Sequence, residues 1–241
     1  MTASAHVVWH DVECGGYDAD LTLWQELARE AGGPVLDVGA GTGRVALLLA
    51  GEGVDVTALD RDAELLETLS ERAAAAGLEV ETVRADAAGF DLPARFALIA
   101  VPMQTLQLLP DDAARERFFA SARRALLPGG LVAAAIADQL EPFEEQSLLP
   151  APDVGVADGL QYLSQPVAVR ELPGAVRIER IRQVVSPDGT RTSEDDAIEL
   201  RTVSAEGLAA EAGRHGLRAE PPLDVPPTLE HVGSTVVMLR G

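Results

Sequence analysis

The chain has 241 residues, a formal net charge of −20 and 47% hydrophobic residues, so it is long enough for one or two domains with a buried core. The negative charge repels phosphate backbones and therefore disfavours nucleic-acid substrates. All 19 basic residues are arginine, and the absence of lysine excludes a Schiff-base lysine and a Walker-type phosphate loop.

The first part of the chain alternates short apolar runs with helical patterns. Residues 1–18 look irregular, and a helix is then predicted from Asp20 to the glycines at 32–33. Strands are predicted at 34–38, 54–59, 78–83, 96–101 and 131–137, and helices at 44–50, 62–76 and 111–127. This alternation indicates an α/β fold, a Rossmann-like open sheet that is mostly parallel with an antiparallel edge strand and helices on both faces.

The pattern changes after Asp138. We expect a loop at 139–160, then period-two strands at 167–172, 176–185 and 197–203, which indicate a small antiparallel β layer with one wet face. A helix at 204–215 and closing strands at 217–225 and 232–240 follow. The expected organisation is a single domain made of an N-terminal lid and helix (1–33), a cofactor-binding core (34–137), an antiparallel substrate or lid insertion (138–203) and a C-terminal helix with closing strands (204–241).

A glycine turn and a carboxylate carry most of the functional information. The turn Gly39-Ala-Gly-Thr-Gly43 lies between a strand and a helix, and Asp60 ends the next strand. Glycines let the backbone approach a ligand, and a carboxylate can accept hydrogen bonds from two vicinal hydroxyls. The dinucleotide fingerprint needs its third glycine three places after the second, whereas here it comes two places on. These residues therefore predict a ribose-bearing ligand that is not a dinucleotide.

Further motifs resemble, in chain order, those of class I S-adenosylmethionine-dependent methyltransferases of the small-molecule type (methyltransferase domain 11/25-like). The segments that carry the resemblance are Val35–Gly43 with Asp60, Arg84-Ala-Asp-Ala87, Val101-Pro-Met-Gln-Thr-Leu-Gln107 and Leu126-Leu-Pro-Gly-Gly130. One position departs from the family, because Phe96-Ala-Leu-Ile99 has Ala97 where an acidic residue is usual. The polar link of that carboxylate is missing or replaced here.

The resemblance implies that S-adenosylmethionine is bound and S-adenosylhomocysteine is released, without a metal. It implies that Asp60 holds the ribose, that Asp86 and Ala87 meet the adenine, and that Tyr17 reaches the methionine carboxylate. Asp37 either supports the cofactor site or braces the neighbouring turn. The predicted cofactor-binding residues are Tyr17, Asp37, Gly39, Ala40, Gly41, Gly43, Asp60, Arg61, Asp86, Ala87, Val101 and Pro102.

The methyl acceptor is less well defined. Transfer from a sulfonium is an in-line displacement, so the enzyme mainly aligns the reactants and excludes water, and a base is needed only if a proton must leave early. No catalytic residue stands out, and the weak candidates are His10, His231, Gln104 and Gln107. We expect methyl transfer to N or O of a small metabolite. The alternatives are a tRNA or protein methyltransferase, or a non-catalytic S-adenosylmethionine-binding regulatory module.

Three expectations concern the surroundings of the protein. No apolar run reaches the roughly 18–20 residues of a membrane span, so no membrane partner is expected. The N-terminus lacks the pattern of a signal peptide and Cys14 is the one cysteine, which favours a cytoplasmic location. The partner is expected to be a small-molecule substrate and not nucleic acid, and the oligomeric state is open between monomer and homodimer.

Overall fold

The structure is a computed structural model that describes residues 4–138, 140–143, 149–228 and 231–241. The strands are β1 Val35–Val38, β2 Val56–Asp60, β3 Glu81–Arg84, β4 Phe96–Val101, β5 Leu126–Ile136, β6 Asp153–Ala157, β7 Leu160–Leu172, β8 Ala175–Val185, β9 Arg191–Arg201, β10 Arg218–Val225 and β11 Ser234–Arg240. The α-helices are α1 Ala5–His10, α2 Leu21–Ala31, α3 Arg44–Gly51, α4 Ala63–Ala76, α5 Asp112–Ala125 and α6 Ala205–Gly213.

Seven strands form the central sheet in the order β10-β11-β5-β4-β1-β2-β3. Strands β1 to β5 run parallel, while β11 lies between β5 and β10 and is antiparallel to both. The predicted α/β fold class is thus confirmed. The chain moves outward from β1 through β2 to β3 and then returns to β4 on the other side of β1. Open α/β sheets bind ligands at such a switch point, beyond the carboxyl ends of the strands.

The helices that cover this sheet begin and end within two residues of the predicted bounds. Asp62 caps α4 by accepting hydrogen bonds from the next turn, and Gly77 ends that helix in a left-handed conformation. Ser204 caps α6 in the same way. Helix α5 stops at Ala125, two residues before the predicted end, because Leu126 already pairs with Phe96 of β4.

The predicted irregularity of residues 1–18 is wrong at residues 5–15, which are helical, and residues 1–3 of that prediction lie outside the described residues. Helix α1 is capped by Ser4, and a π-helical segment, Asp11–Gly15, continues it. The apolar run Val7-Val-Trp9 explains the helix, because all three side chains are buried. Trp9 packs edge-on against Tyr162 of β7 with ring centroids 5.0 Å apart. The N-terminus thus packs against the second sheet.

The second sheet has four antiparallel strands in the order β6-β7-β8-β9. The loop predicted at 139–160 is wrong at 153–157 and at 160, which are strand, and residues 139 and 144–148 of that prediction lie outside the described residues. This sheet contacts the π-helical segment and a short 3₁₀ turn, Thr105–Leu108, that follows β4. Within the described ranges, no helix is both long and apolar enough to cross a membrane.

Candidate active site

A cleft of about 380 Å³ opens at the carboxyl ends of β1, β2, β3 and β4. Its other walls come from the N-terminal segment, the 3₁₀ turn and two strands of the four-stranded sheet. A volume of this size falls in the range that holds drug-sized ligands. The lining residues are His6, His10, Glu13, Cys14, Asp37, Gly39, Ala40, Arg44, Val45, Leu59, Asp60, Arg61, Asp62, Leu65, Ala85, Asp86, Ala87, Pro102, Met103, Gln104, Thr105, Leu108, Leu109, Arg180, Ile198 and Leu200.

The glycine turn is crowded by side chains from two other segments. Gly39 has φ +75° and Gly41 has φ +54°, a conformation that side chains other than glycine rarely adopt. A Cβ on Gly39 would stand 2.6 Å from Thr105 Oγ1, and one on Gly41 would stand 2.4 Å from the ring of His10. The turn therefore accepts close neighbours because it carries no side chain at these two points.

Asp60 ends β2 with its carboxylate against the glycine turn. Oδ2 accepts a hydrogen bond from Gly41 N–H at 2.9 Å, and Oδ1 accepts one from Asp62 N–H at 2.9 Å. Each carboxylate oxygen has a second lone pair, so Asp60 can fix the turn and still accept from hydroxyls. Asp86, beyond β3, is exposed and accepts from Ala88 N–H at 2.8 Å.

Asp37 is the most unusual group of the cleft. It is only 1% exposed, and neither carboxylate oxygen has a hydrogen-bond partner among the described residues. Burial raises the pKa of this carboxyl to about 7, against the opposing effect of Arg44. Such an orphaned buried acid is costly unless a donor arrives. It is therefore a place where a cationic ligand group fits.

Arg44 begins α3 and fixes the N-terminal segment to the turn. Its guanidinium contacts Asp20 through two hydrogen bonds of 2.5 and 2.9 Å and also donates to Tyr17 C=O at 2.7 Å. Asp20 accepts a further hydrogen bond from Trp24 Nε1 at 2.8 Å. The Tyr17 ring lies under Arg44, 5.3 Å from the guanidinium carbon. Tyr17 is not among the residues that line the cleft.

The N-terminal segment lines the cleft with side chains of different charge, among them His10, Cys14 and Glu13. Burial lowers the pKa of His10 below its ordinary value, so its ring is neutral near pH 7. Burial raises the pKa of Cys14 to about 11 and keeps it a thiol. Burial alone would raise the pKa of Glu13, but hydrogen bonds and charges from arginine bring it below its usual range. Glu13 is therefore ionised.

The loop after β4 forms another wall of the cleft. Met103 has φ 55°, which is unusual for a long side chain and indicates backbone strain at the cleft. Gln104 lines the cleft, whereas Gln107 does not. The Gln107 amide instead donates to the carbonyls of Ala137 and Arg201 and accepts from Ala137 N–H. It joins the two sheets rather than facing the cleft.

The structure brings together most of the predicted site residues. Those that line the cleft are His10, Asp37, Gly39, Ala40, Asp60, Arg61, Asp86, Ala87, Pro102 and Gln104. Those outside the lining are Tyr17, Gly41, Gly43, Val101, Gln107 and His231. Gly41 and Gly43 are buried parts of the turn itself, and the His231 ring lies 5.1 Å from that of Tyr17. The roles assigned to these residues remain predictions.

Sixteen of the 26 lining residues were not predicted from the sequence, among them Glu13, Cys14, Arg44 and Arg180. Arg44 follows the last glycine of the turn and could have been identified from that position. Glu13 and Arg180 lie 167 residues apart in the chain, and no local pattern connects them. Within the described ranges, no group of three His, Cys, Asp or Glu residues is arranged to hold a metal.

Residues 35–130 match the family model described as methyltransferase domain. The match confirms the resemblance seen in the motifs. A curated relative, ribosomal RNA small subunit methyltransferase A of Brucella canis, is 38% identical over 81 residues, which is 32% of this chain. The same protein of Brucella suis matches equally. The chain spans 29% of the length of these curated relatives.

Solved structures resemble almost the whole chain. DesVI of Streptomyces venezuelae has a TM-score of 0.74 at 19% identity and covers 97% of this chain and 98% of its own. The sugar N-methyltransferase KedS8 of Streptoalloteichus has a TM-score of 0.73 at 18% identity, with 98% and 93% covered. CalS10 of Micromonospora echinaspora, an amino pentose methyltransferase solved with S-adenosylmethionine bound, has a TM-score of 0.72 at 17% identity, with 100% and 98% covered. The second sheet is thus part of the shared fold.

Proposed function

We propose that this protein transfers the methyl group of S-adenosylmethionine to a nitrogen or oxygen of a small metabolite. One observation carries the proposal. A single cleft collects Asp37, Asp60 and Asp86 from three successive strand ends, as a ligand with an amino-acid end, a ribose and a base requires. The methyltransferase domain match over residues 35–130 supports it.

The residues present fit the proposed cofactor. Asp60 would hold the ribose hydroxyls, and Asp86 with Ala87 the adenine. The orphaned Asp37 carboxylate suits the ammonium of the methionine part, because a cation nearby would supply the donor and charge it lacks. When bound, the cofactor supplies a methyl group already activated on a sulfonium. Tyr17 remains predicted as a contact of the methionine carboxylate, with its ring currently against Arg44.

The chain's own part in the reaction is to align the acceptor, exclude water and accept a proton if one must leave. Of the four candidate catalytic residues, His10 and Gln104 line the cleft, so we propose these two as the ones that face the reactants. A neutral imidazole can accept a proton, and burial keeps His10 in that form. We further propose that the segments 1–33 and 138–203 act as lid and acceptor wall.

A small-molecule acceptor agrees with the charge and with the similar structures. The net charge of −20 disfavours nucleic acid, although the curated relatives with local similarity act on ribosomal RNA by name. KedS8 and CalS10 are named for sugar substrates and cover nearly all of this chain. We propose a cytoplasmic enzyme whose partner is a metabolite.

The test combines cofactor binding with turnover. Calorimetry of S-adenosylhomocysteine with wild-type protein, Asp60→Ala and Asp55→Ala should show affinity lost about 100-fold in the Asp60 variant, since hydrogen bonds to a charged group contribute about 1.5–3 kcal/mol each. Asp55 is exposed and precedes the same strand at its opposite end, so its variant is the matched control.

The outcomes separate the competing functions. Formation of S-adenosylhomocysteine from S-adenosylmethionine with a metabolite pool supports the enzyme. Binding without turnover in any pool would favour a regulatory module, and turnover only with tRNA or protein would favour the macromolecular alternative. If wild-type protein binds neither form of the cofactor, the proposal is wrong.

A further inference from the structure

The part of the cleft left for the acceptor is bounded by three separate segments. Met103 and Gln104 follow β4, Cys14 comes from the N-terminal segment, and Ile198 with Leu200 come from β9. These residues are apolar or uncharged, with Cys14 held as a thiol by its high pKa. An acceptor that enters here therefore meets mostly uncharged groups.

Arg180 of β8 is the cation on this wall. Its side chain is 15% exposed and donates from Nη1 to Glu13 Oε2 at 3.0 Å. Its Nε is buried and has no hydrogen-bond partner among the described residues. A guanidinium carries five N–H donors in a fixed plane, and the hydrogen bond from Nη1 to Glu13 uses one of those of Arg180.

The neighbouring Arg182 shows that Glu13 has no capacity left to satisfy Arg180 further. Arg182 donates to both Glu13 oxygens at 2.8 Å from Nε and Nη2, and its Nη1 lies 3.0 Å from Asp196. Ser164 also donates to Glu13 at 2.7 Å. Glu13 therefore accepts four hydrogen bonds, three of them from Arg182 and Ser164. Glu13 can therefore not take up further donors of Arg180, and these remain for another acceptor.

We propose that Arg180 determines acceptor specificity by binding a carboxylate carried by the methyl acceptor. A planar guanidinium matches the two oxygens of a carboxylate better than it matches an amide or a hydroxyl. The inference rests on the proposed function, since it assumes that the acceptor occupies this side of the cleft. It adds that the acceptor is an acid that is methylated at another atom, an amine nitrogen or a hydroxyl oxygen.

The test uses matched acceptor pairs that differ only in this group. Phenylalanine with phenylalaninamide, and 4-hydroxybenzoate with 4-hydroxybenzamide, are offered to protein loaded with S-adenosylhomocysteine, and the retained fraction is measured by ultrafiltration and mass spectrometry. The acid of at least one pair should be retained about 10- to 100-fold better than its amide, the effect of charge-assisted hydrogen bonds. Turnover with S-adenosylmethionine should show the same preference.

Variants assign the preference to Arg180. Arg180→Gln should abolish it and Arg180→Lys should leave an intermediate preference, because lysine keeps the charge without the planar fork. Arg177→Gln is the matched control on the same strand, since Arg177 is exposed and does not line the cleft. Affinity for S-adenosylhomocysteine should be unchanged in all three variants, which also shows that they are folded.

The failures are distinguishable. If wild-type protein does not bind S-adenosylhomocysteine, the proposed function fails and the inference with it. If the cofactor binds but acids and amides are retained equally, or neither is retained, the carboxylate inference alone is overturned. Retention of the acid preference by Arg180→Gln would also overturn it.

Discussion

Two carboxylates are buried in the same cleft, and the structure places them in opposite environments. Asp37, on the side of the cleft that we propose to bind the cofactor, has no hydrogen-bond partner among the described residues, and burial raises its pKa to about 7. Glu13, on the acceptor side, accepts four hydrogen bonds, and its arginine partners bring its pKa below the ordinary value. The Glu13 carboxylate is paired within the protein, whereas the Asp37 carboxylate remains available to a ligand.

The largest expected effect is the pH dependence that Asp37 imposes on stability. Because its pKa is raised in the folded state, its contribution is most favourable below pH 4 and is lost as the pH rises through 7. Three pKa units correspond to about 4 kcal/mol. The unfolding free energies of Asp37→Asn and wild type are compared by urea denaturation from pH 4 to 8. The value for the variant, relative to wild type, should rise by about 4 kcal/mol over this range.

Binding of a cationic ligand should change the pH profile that Asp37 produces. Saturating S-adenosylhomocysteine, which carries an ammonium group, should flatten the difference between the Asp37→Asn and wild-type profiles, because a paired carboxylate has no reason to take up a proton. Parallel profiles without ligand would show that Asp37 titrates at its ordinary value. Another group would then offset the free-energy cost of burying its carboxylate.

Glu13 should respond in the opposite direction. Its folded pKa is lowered, so its stabilising contribution is present above its unfolded value of about 4.3 and is lost as the pH falls through the folded value. Glu13→Gln should lower the unfolding free energy at pH 7 by about 3 kcal/mol, since it leaves two arginines short of a counter-charge. The deficit should shrink in acid.

The control for this prediction is Glu199→Gln. Glu199 is exposed and lies 3.5 Å from Arg177, so its loss should change stability by less than about 0.5 kcal/mol. Cofactor affinity should be unchanged in Glu13→Gln. A stability loss no larger than that of the control would mean that the Glu13 ion pairs contribute little in solution.

The two sides of the cleft also differ in how much of them the sequence predicts. The cofactor side is built from contiguous motifs, and the strand after Pro34, the cap at Asp62 and the carboxylate at Asp60 were all predicted at their observed positions. Each depends on local chemistry: an apolar run, a capping side chain or a residue at a strand end.

The acceptor side depends on contacts between distant segments, which local patterns do not contain. Strand β6 was predicted as loop because Val154 and Val156 alternate over only five residues beside prolines. Helix α1 was missed because its run of buried residues is short. Arg180 lies within the predicted strand 176–185, where nothing in the local pattern marks it, and only the fold brings it to Glu13.

The smallest expected effect tests whether the N-terminal segment rests on the glycine turn in solution. Gly41→Ala should cost about 1–2 kcal/mol for the left-handed backbone, and a further cost arises because the new Cβ would stand 2.4 Å from the His10 ring. His10→Ala removes that ring, so the unfolding free energy of the double variant should be about 1 kcal/mol higher than the sum of the single-variant effects predicts.

The coupling between the two substitutions is measured by urea denaturation of all four proteins at pH 7. A coupling of zero would place His10 away from the turn and would remove the steric link between the lid and the cofactor side of the cleft. A clear coupling would place the His10 ring against the turn in solution, beside Asp60, whose carboxylate accepts a hydrogen bond from Gly41 N–H.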